Sequence, residues 1–322
     1  MGRYILKRLL WMIPIILAVT ILIFTLMYFV PGDFASIVLG SNATQQQLEE
    51  FRELNGLNDP YIVRLGEYLY DVFVKFDFGK SYIYSTDVTA DIMERAPRTF
   101  ILAFGTIMVG FIFGIPLGIA AALHRNSALD HIAMGVSMIG TAMPSFWAGL
   151  LLVLLFSVKL GWLPSQGMGG PEYYILPCLG MGLAGISGQC RQMRSSLLEV
   201  INADYVTTAR SKGISENRVL LKHELPNALI PIITGLGGTF GMMLGGTLVI
   251  ENVFSIPGIG AYMVKAIGNR DYPAVQGSVI FLAIIFALGM LLVDLCYAFV
   301  DPRIKAQYEA SSKKKKKVKS DG

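Results

Sequence analysis

Six stretches of the chain contain no Asp, Glu, Lys or Arg: residues 9–32, 99–124, 132–158, 173–190, 225–250 and 272–293. They run from 18 to 27 residues, and an α-helix needs roughly 20 apolar residues to cross a bilayer core. Backbone groups in hydrocarbon must be satisfied within their own segment, so runs of this length predict helices. A transmembrane barrel would show alternating segments of roughly ten residues instead. The pattern therefore predicts an all-α membrane protein with six transmembrane helices.

Composition agrees: 53% of the 322 residues are hydrophobic and 16% are charged, against about 25% charged in a typical soluble domain. Two ordinary soluble domains are excluded. Arg3, Lys7 and Arg8 precede the first run as they would in a secretory signal. That run exceeds the roughly 7 to 15 residues of a signal's apolar core and has no small-x-small cleavage site before Pro31, Gly32 and Asp33, so it is expected to be a retained span.

With the N-terminus inside, segments 1–8, 124–131, 191–224 and 301–322 are inside and hold 18 of the 27 Lys and Arg. The positive-inside rule selects this orientation. The largest connection, 33–98, is then external and carries 11 acidic and 6 basic residues. Thr44 with Gln47 reads as a capping box, Asn55-Gly56 as a helix stop, and a second helix after Pro60 is expected to show Ile62, Leu65, Leu69 and Phe73 on one face. Cys178, Cys190 and Cys296 fall in or at the end of spans, as packing residues rather than an external disulfide framework. The lysines 313–317 with Lys319 read as a solvated tail able to touch anionic lipid.

Chemistry inside the membrane is sparse. There is no H-E-x-x-H, and His124, His131 and His223 lie at or beyond the inner face, so no metal site is expected. Gly79-Lys80-Ser81 lacks the Gly that a phosphate-binding loop needs five residues earlier; Val74 stands there. Ion-coupled carriers usually place ionisable groups within their spans; here Asp294, near the inner end of the sixth, is the one candidate, expected to pair with a neighbouring helix or basic residue. The spans do carry Pro116, Pro144, Pro177 and Pro231 and many glycines, concentrated in the fifth run. Small residues permit close helix approach and Pro permits kinks, so the fifth run is expected to pack tightly or slide at a central interface.

The inside connection is the most informative segment. A helix from Asp204 can stop at Gly213, where a left-handed residue costs little. Ser215 can cap a second short helix, and Pro226 leads into the fifth span. The result is a compact, basic, amphipathic elbow over 203–226, shaped to dock into a partner.

At these residues the chain resembles the permease subunits of binding-protein-dependent ABC importers, whose signature runs Glu-Ala-Ala, three residues, Gly, nine residues, Ile-x-Leu-Pro. Ala209, Gly213, Leu225 and Pro226 match, while Thr207, Thr208 and His223 replace Glu, the first Ala and Ile. The run Asp204 to Gly213 is similar to the dipeptide, oligopeptide and nickel branch. So are the start Arg3 to Leu10, Pro31-Gly32-Asp33, Gly56-Leu57 with Asp59-Pro60, Asp77-Phe78-Gly79, Ile115 to Gly118, Glu251 to Gly260, Arg270 to Pro273 and Asp301-Pro302-Arg303. Their order resembles the first (B-type) permease subunit of that branch.

The resemblance implies a type I importer permease fold, divided into an N-terminus and first span (1–32), an extracytoplasmic helical segment (33–98), a five-helix core (99–300) and a Lys-rich tail (301–322). It implies a non-catalytic subunit in a bacterial or archaeal inner membrane, with both termini cytoplasmic. Its partners would be a second permease, two cytoplasmic ATPases that bind ATP and Mg, an external solute-binding protein, membrane lipid, and a peptide or related solute. No cofactor, metal or nucleic acid is implied for this chain. Thr207, Thr208, Ala209, Arg210, Lys212, Gly213, Ile214, Leu225 and Pro226 would couple to the ATPases. Thr141, Met143, Ser145, Phe146, Thr239, Met242 and Met243 are nominated for the solute path because they combine kinks with polar groups. Asp77, Glu251, Pro257, Gly258 and Asp271 are nominated for contact with the binding protein. The rival reading is a self-sufficient, dimeric secondary carrier.

Overall fold

The computed structural model describes residues 2–300 apart from Asp33 and Ser41, and its regular elements are helices. In order they are α1 (Gly2–Tyr28), α2 (Phe34–Leu39), α3 (Gln45–Leu54), α4 (Tyr61–Tyr70), α5 (Val88–Val109), α6 (Ile115–Leu123), α7 (Ala128–Ala142), α8 (Ser145–Leu152), α9 (Glu172–Ile201), α10 (Asp204–Ser211), α11 (Glu216–Val219), α12 (Leu225–Ala228), α13 (Ile230–Val253), α14 (Ile259–Gly268) and α15 (Tyr272–Val300). Wider π turns occupy Asp71–Lys75, Gly110–Gly114, Val153–Lys159 and Leu220–Glu224. The Cys296 side chain, Asp33, Asp301-Pro302-Arg303 and the lysine tail lie outside the described residues.

Each of the six charge-free runs is helical, but they are not six equal spans. Among the described residues three helices are long and apolar enough to cross a membrane, at Ile5–Tyr28, Val88–Leu123 and Tyr272–Leu295. Two bent pairs bring this to five if each is one span. In one pair α7 meets the helix over Ser145–Lys159 at 108° across Met143 and Pro144. Pro144 has no N–H to continue the ladder and disfavours helical geometry at Met143, so the expected kink is a full break. The fourth run, in α9, falls short of that apolar standard for a physical reason: it packs against α5, α6, α7, α8 and α13. A helix that faces protein rather than lipid does not need a uniformly apolar surface.

Close packing of small residues makes α9 the hub. A Cβ placed on Gly118 would lie 2.5 Å from the Cys190 carbonyl oxygen, and one on Gly114 2.6 Å from that of Ile186. Gly180 faces the Gly149 backbone in the same manner. Cys178 and Cys190 are buried free thiols in these contacts. At its far end Arg194 Nε meets Asp130 Oδ1 at 2.5 Å and Nη2 meets Oδ2 at 2.7 Å, which fastens the loop before α7 to α9. The fifth run, expected to pack tightly or slide, is mixed: Gly241 packs on Phe286 and Gly246 on Met181, whereas Gly235, Gly238 and Gly245 of α13 have open space where a Cβ would stand.

The outer helices follow their sequence signals in part. Thr44 and Gln47 form the reciprocal capping box of α3, and Asn55 with left-handed Gly56 (φ +61°) ends it. The second helix, α4, starts after Pro60 as expected; of its aliphatic stripe Leu65 and Leu69 are half-buried and Ile62 is exposed, while Tyr61 and Tyr68 pack on Phe24 of α1 with ring centroids 5.8 and 5.3 Å away. Near the other end of α1, Arg8 pairs with Asp294 of α15 at 2.9 Å, so Asp294 has the helix partner that its position predicted.

Candidate functional site

The elbow between α9 and α13 is built around a small core of its own. Val206, Ala209 and Val219 are buried and pack with Val200, Ala203 and Ile214. Gly213 takes φ +75°, the left-handed turn expected where α10 stops. Ser215 stands at the N-cap of α11, although its side chain makes no capping hydrogen bond. Arg210 ties the unit together: Nη2 donates to Glu224 Oε1 at 2.9 Å, Nε to Glu216 Oε1 at 3.1 Å, and Nη1 to the Ile201 carbonyl at 3.3 Å. Glu224 is only 2% exposed. Burial pushes its carboxyl up from the ordinary range, and the Arg210 guanidinium opposes that shift.

These contacts redistribute the roles expected from sequence. Ala209 is buried and Arg210 is engaged within the chain, so both shape the elbow from inside. Thr207, Thr208, Lys212, Gly213 and Pro226 are exposed, with Ile214 and Leu225 half-buried. Sequence reasoning passed over Tyr205 and Leu221, whose exposure of 45% and 64% gives the elbow an apolar outer surface. It also passed over Glu224; the signal available was an acid set among Lys222, His223 and Pro226 in a basic loop. Desolvation raises the Tyr205 phenol, with Glu224 adding to the shift.

The outer end is corrected more strongly. Glu251 is 0% exposed: it accepts from Thr99 Oγ1 at 2.6 Å and from the Ala261 N–H at 2.8 Å. Thr99 Oγ1 accepts in turn from the Ile259 N–H, while Arg98 donates to the Pro257 carbonyl. A Cβ at Gly258 would collide with the Glu251 carboxylate. Asp271 is 1% exposed and accepts from Ser81 Oγ at 2.5 Å and the Tyr82 N–H at 3.2 Å. Glu251, Gly258 and Asp271 therefore tie α5, α13, α14 and the outer loop to one another and offer no surface to a partner. A buried carboxylate persists when several donors hold it. Pro257 is half-buried, and Asp77 is exposed, accepting from the Gly79 N–H.

The nominated path residues occupy two places. Thr141, Met143, Ser145 and Phe146 surround the α7–α8 break, where Thr141 and Phe146 are exposed and Thr141 Oγ1 accepts from Arg191 at 3.2 Å. On α13, Met242 is 77% exposed while Thr239 and Met243 are half-buried; the Thr239 hydroxyl donates to its own helix at the Gly235 carbonyl. The α8 and α13 helices are in contact, with Gly149 of α8 against Phe254 just beyond the end of α13. Among the described residues no cluster of His, Cys, Asp or Glu has the makings of a metal site.

Comparison with known proteins agrees with this architecture. Residues 114–306 match the family of binding-protein-dependent transport system inner membrane components, and residues 1–103 match the N-terminal family of such membrane components. A protein of Brucella abortus (strain 2308) described as a peptide transport system permease is 41% identical over 95% of this chain and 99% of its own length. The glutathione transport system permease GsiC of Salmonella typhimurium (strain LT2) is 40% identical with the same coverage. A chain of the MetNI methionine ABC transporter, solved in inward-facing conformations, shares the fold with a TM-score of 0.55 at 20% identity, covering 65% of this chain and 96% of that one. The chain belongs to the family of binding-protein-dependent transport system inner membrane components, the multi-pass permeases of ABC importers.

Proposed function

We propose that this chain is one of two similar permease subunits in an ATP-driven importer of peptides, and that the elbow over 203–226 is where ATPase motion enters the bundle. The N- and C-termini and the elbow lie on the cytoplasmic side of a bacterial or archaeal inner membrane. The segment 33–98 faces outward toward a solute-binding protein. ATP and Mg are bound by two partner ATPases, and this chain contributes no catalytic group. The choice of a peptide rests on the relatives named for peptide and glutathione transport.

The observation that carries the reading is the elbow's construction. Arg210, Glu224 and the Val206–Ala209–Val219 core make it a stiff unit that exposes Tyr205 and Leu221, and it is joined directly to α9 and to the helix leading into α13. A rigid lever with an apolar tip transmits a push, whereas a solvated loop would absorb it.

Uptake by the assembled transporter in vesicles tests the energy source. Peptide uptake that persists with an ionophore and stops without the ATPases is the expected result; gradient-driven uptake by this chain alone would establish the secondary carrier instead. In Gly213→Val, a left-handed β-branched residue costs roughly 1–2 kcal/mol, and ATPase docking is expected to weaken while the chain still inserts. Normal docking and transport in that variant would remove the elbow from the mechanism. Cysteines introduced at Ser85 and Ser215 are expected to label from opposite sides, and labelling from one side would overturn the orientation.

A further inference from the structure

A cavity of about 750 Å³ opens between the outer end of α1, helices α3 and α4, the loop over Asp77 to Ser85, and the first turns of α15. Its size falls within the range of about 300 to 1,000 Å³ typical of small-molecule sites. The polar groups on its wall are unevenly satisfied. Asp71 is bound by Lys75 at 2.7 Å, Asp77 by the Gly79 N–H at 2.7 Å, and Arg52 by Glu49 at 2.8 Å.

Arg64 is different. It is half-buried, its guanidinium stands 5.4 Å from the centre of the Tyr28 ring, and its hydrogen bond is a long one of 3.4 Å to the Leu57 carbonyl. Among the described residues it has no carboxylate partner. Gln276 is 7% exposed and borders the same cavity, and its side-chain amide has no hydrogen bond to a described residue. The Tyr68 hydroxyl is buried on that wall without a partner. Desolvation raises the Tyr68 phenol, so it stands there as a neutral donor. The Arg64 guanidinium has no carboxylate partner among the described residues and the Tyr68 hydroxyl has no partner at all among them; a carboxylate in the cavity would serve the first as ion-pair partner and the second as acceptor. The guanidinium fork matches carboxylate geometry, and the amide N–H₂ and phenol O–H donate to its remaining lone pairs.

We propose that this cavity is a binding site for the carboxylate end of a small solute of di- to tripeptide size, with Arg64 as its ion-pair partner and Gln276 and Tyr68 as donors. Glu67, on the same wall and without an ion pair among the described residues, offers a counter-charge to an amino group of the same solute. The choice of a peptide rests on the reading under Proposed function; the carboxylate rests on the cavity alone.

The test is calorimetric titration of the full chain in lipid nanodiscs, without a solute-binding protein, using alanyl-alanine and alanyl-alanine amide. The free acid is expected to bind at least about tenfold more tightly than the amide, the size that a lost charge-assisted hydrogen bond gives. Arg64→Gln should weaken the acid by a similar factor, Arg64→Lys less, and Gln276→Leu by several-fold. Equal binding of acid and amide to the unaltered chain, or no binding of either, overturns the proposal without reference to any variant. Unchanged affinity in Arg64→Gln also overturns it. ATP-dependent uptake by the assembled transporter separates the two readings. If discrimination between acid and amide is absent while uptake is intact, the cavity site falls and the importer stands; if uptake fails while discrimination persists, the reverse holds.

Discussion

Helices α9 and α13 are both rich in glycine, and they use it in opposite ways. In α9, Gly180, Gly182 and Gly185 each face another helix, and Gly110, Gly114 and Gly118 on the preceding span return the contact. In α13, Gly235, Gly238 and Gly245 face open space and fall on one stripe with exposed Met242 and Val249. Packing therefore explains the glycines of α9 within this chain. It also explains Gly241 and Gly246 of α13, which face Phe286 and Met181, but not Gly235, Gly238 and Gly245, where a missing side chain weakens the helix by up to about 1 kcal/mol relative to Ala with no compensating contact among the described residues. The stripe on α13 is a surface kept low for something beyond the chain or for motion along it, which fits the second permease proposed above.

Three substitutions probe this contrast. Gly118→Leu should have the largest effect, because its Cβ meets the backbone of α9; overpacking of this kind costs about 3 kcal/mol, read as a lower midpoint in detergent-titrated unfolding. A stable, normally folded Gly118→Leu would remove α9 from its place as hub. Glu251→Ala should cost about 2 kcal/mol by leaving the Thr99 hydroxyl and Ala261 N–H unpaired. Its signature is local, a loss of hydrogen-exchange protection over Val253 to Ala261, and uniform protection would show that the outer end of α13 is not anchored there. Gly238→Ala should have the smallest effect and the opposite sign, holding or raising stability by up to about 1 kcal/mol while reducing transport. Unimpaired transport in this variant would make the open stripe incidental.

The sequence signals that survive are local ones. The capping box at Thr44, the stop at Gly56, the left-handed Gly213 and the helices of the charge-free runs follow from neighbouring residues, whereas α2 and α14 lie where the sequence shows only connecting segments. Burial is tertiary, and that is where expectation failed. Glu251 lies in the last turn of α13 and Asp271 just before α15, and nothing in their neighbourhood announces that Thr99 and Ser81, 152 and 190 positions away, close over them. The lower hydropathy of α9 likewise reads as a weaker span until its neighbours are known. In the elbow, spacing located the turn correctly, but the three-way grip of Arg210 depends on a fold-back that periodicity does not record.

The 108° break at Met143 and Pro144 has a consequence for hydration. Where α7 stops, the Ile139 carbonyl accepts from the Met143 N–H and the Met138 carbonyl from the Thr141 hydroxyl, while the break at Pro144 ends the ladder for the carbonyls after Ile139. Bare carbonyls are not tolerated against acyl tails; irregular backbone at membrane depth persists only where water or protein reaches it. The sector of the bundle around residues 141–146 therefore calls for water or protein beside it rather than acyl tails.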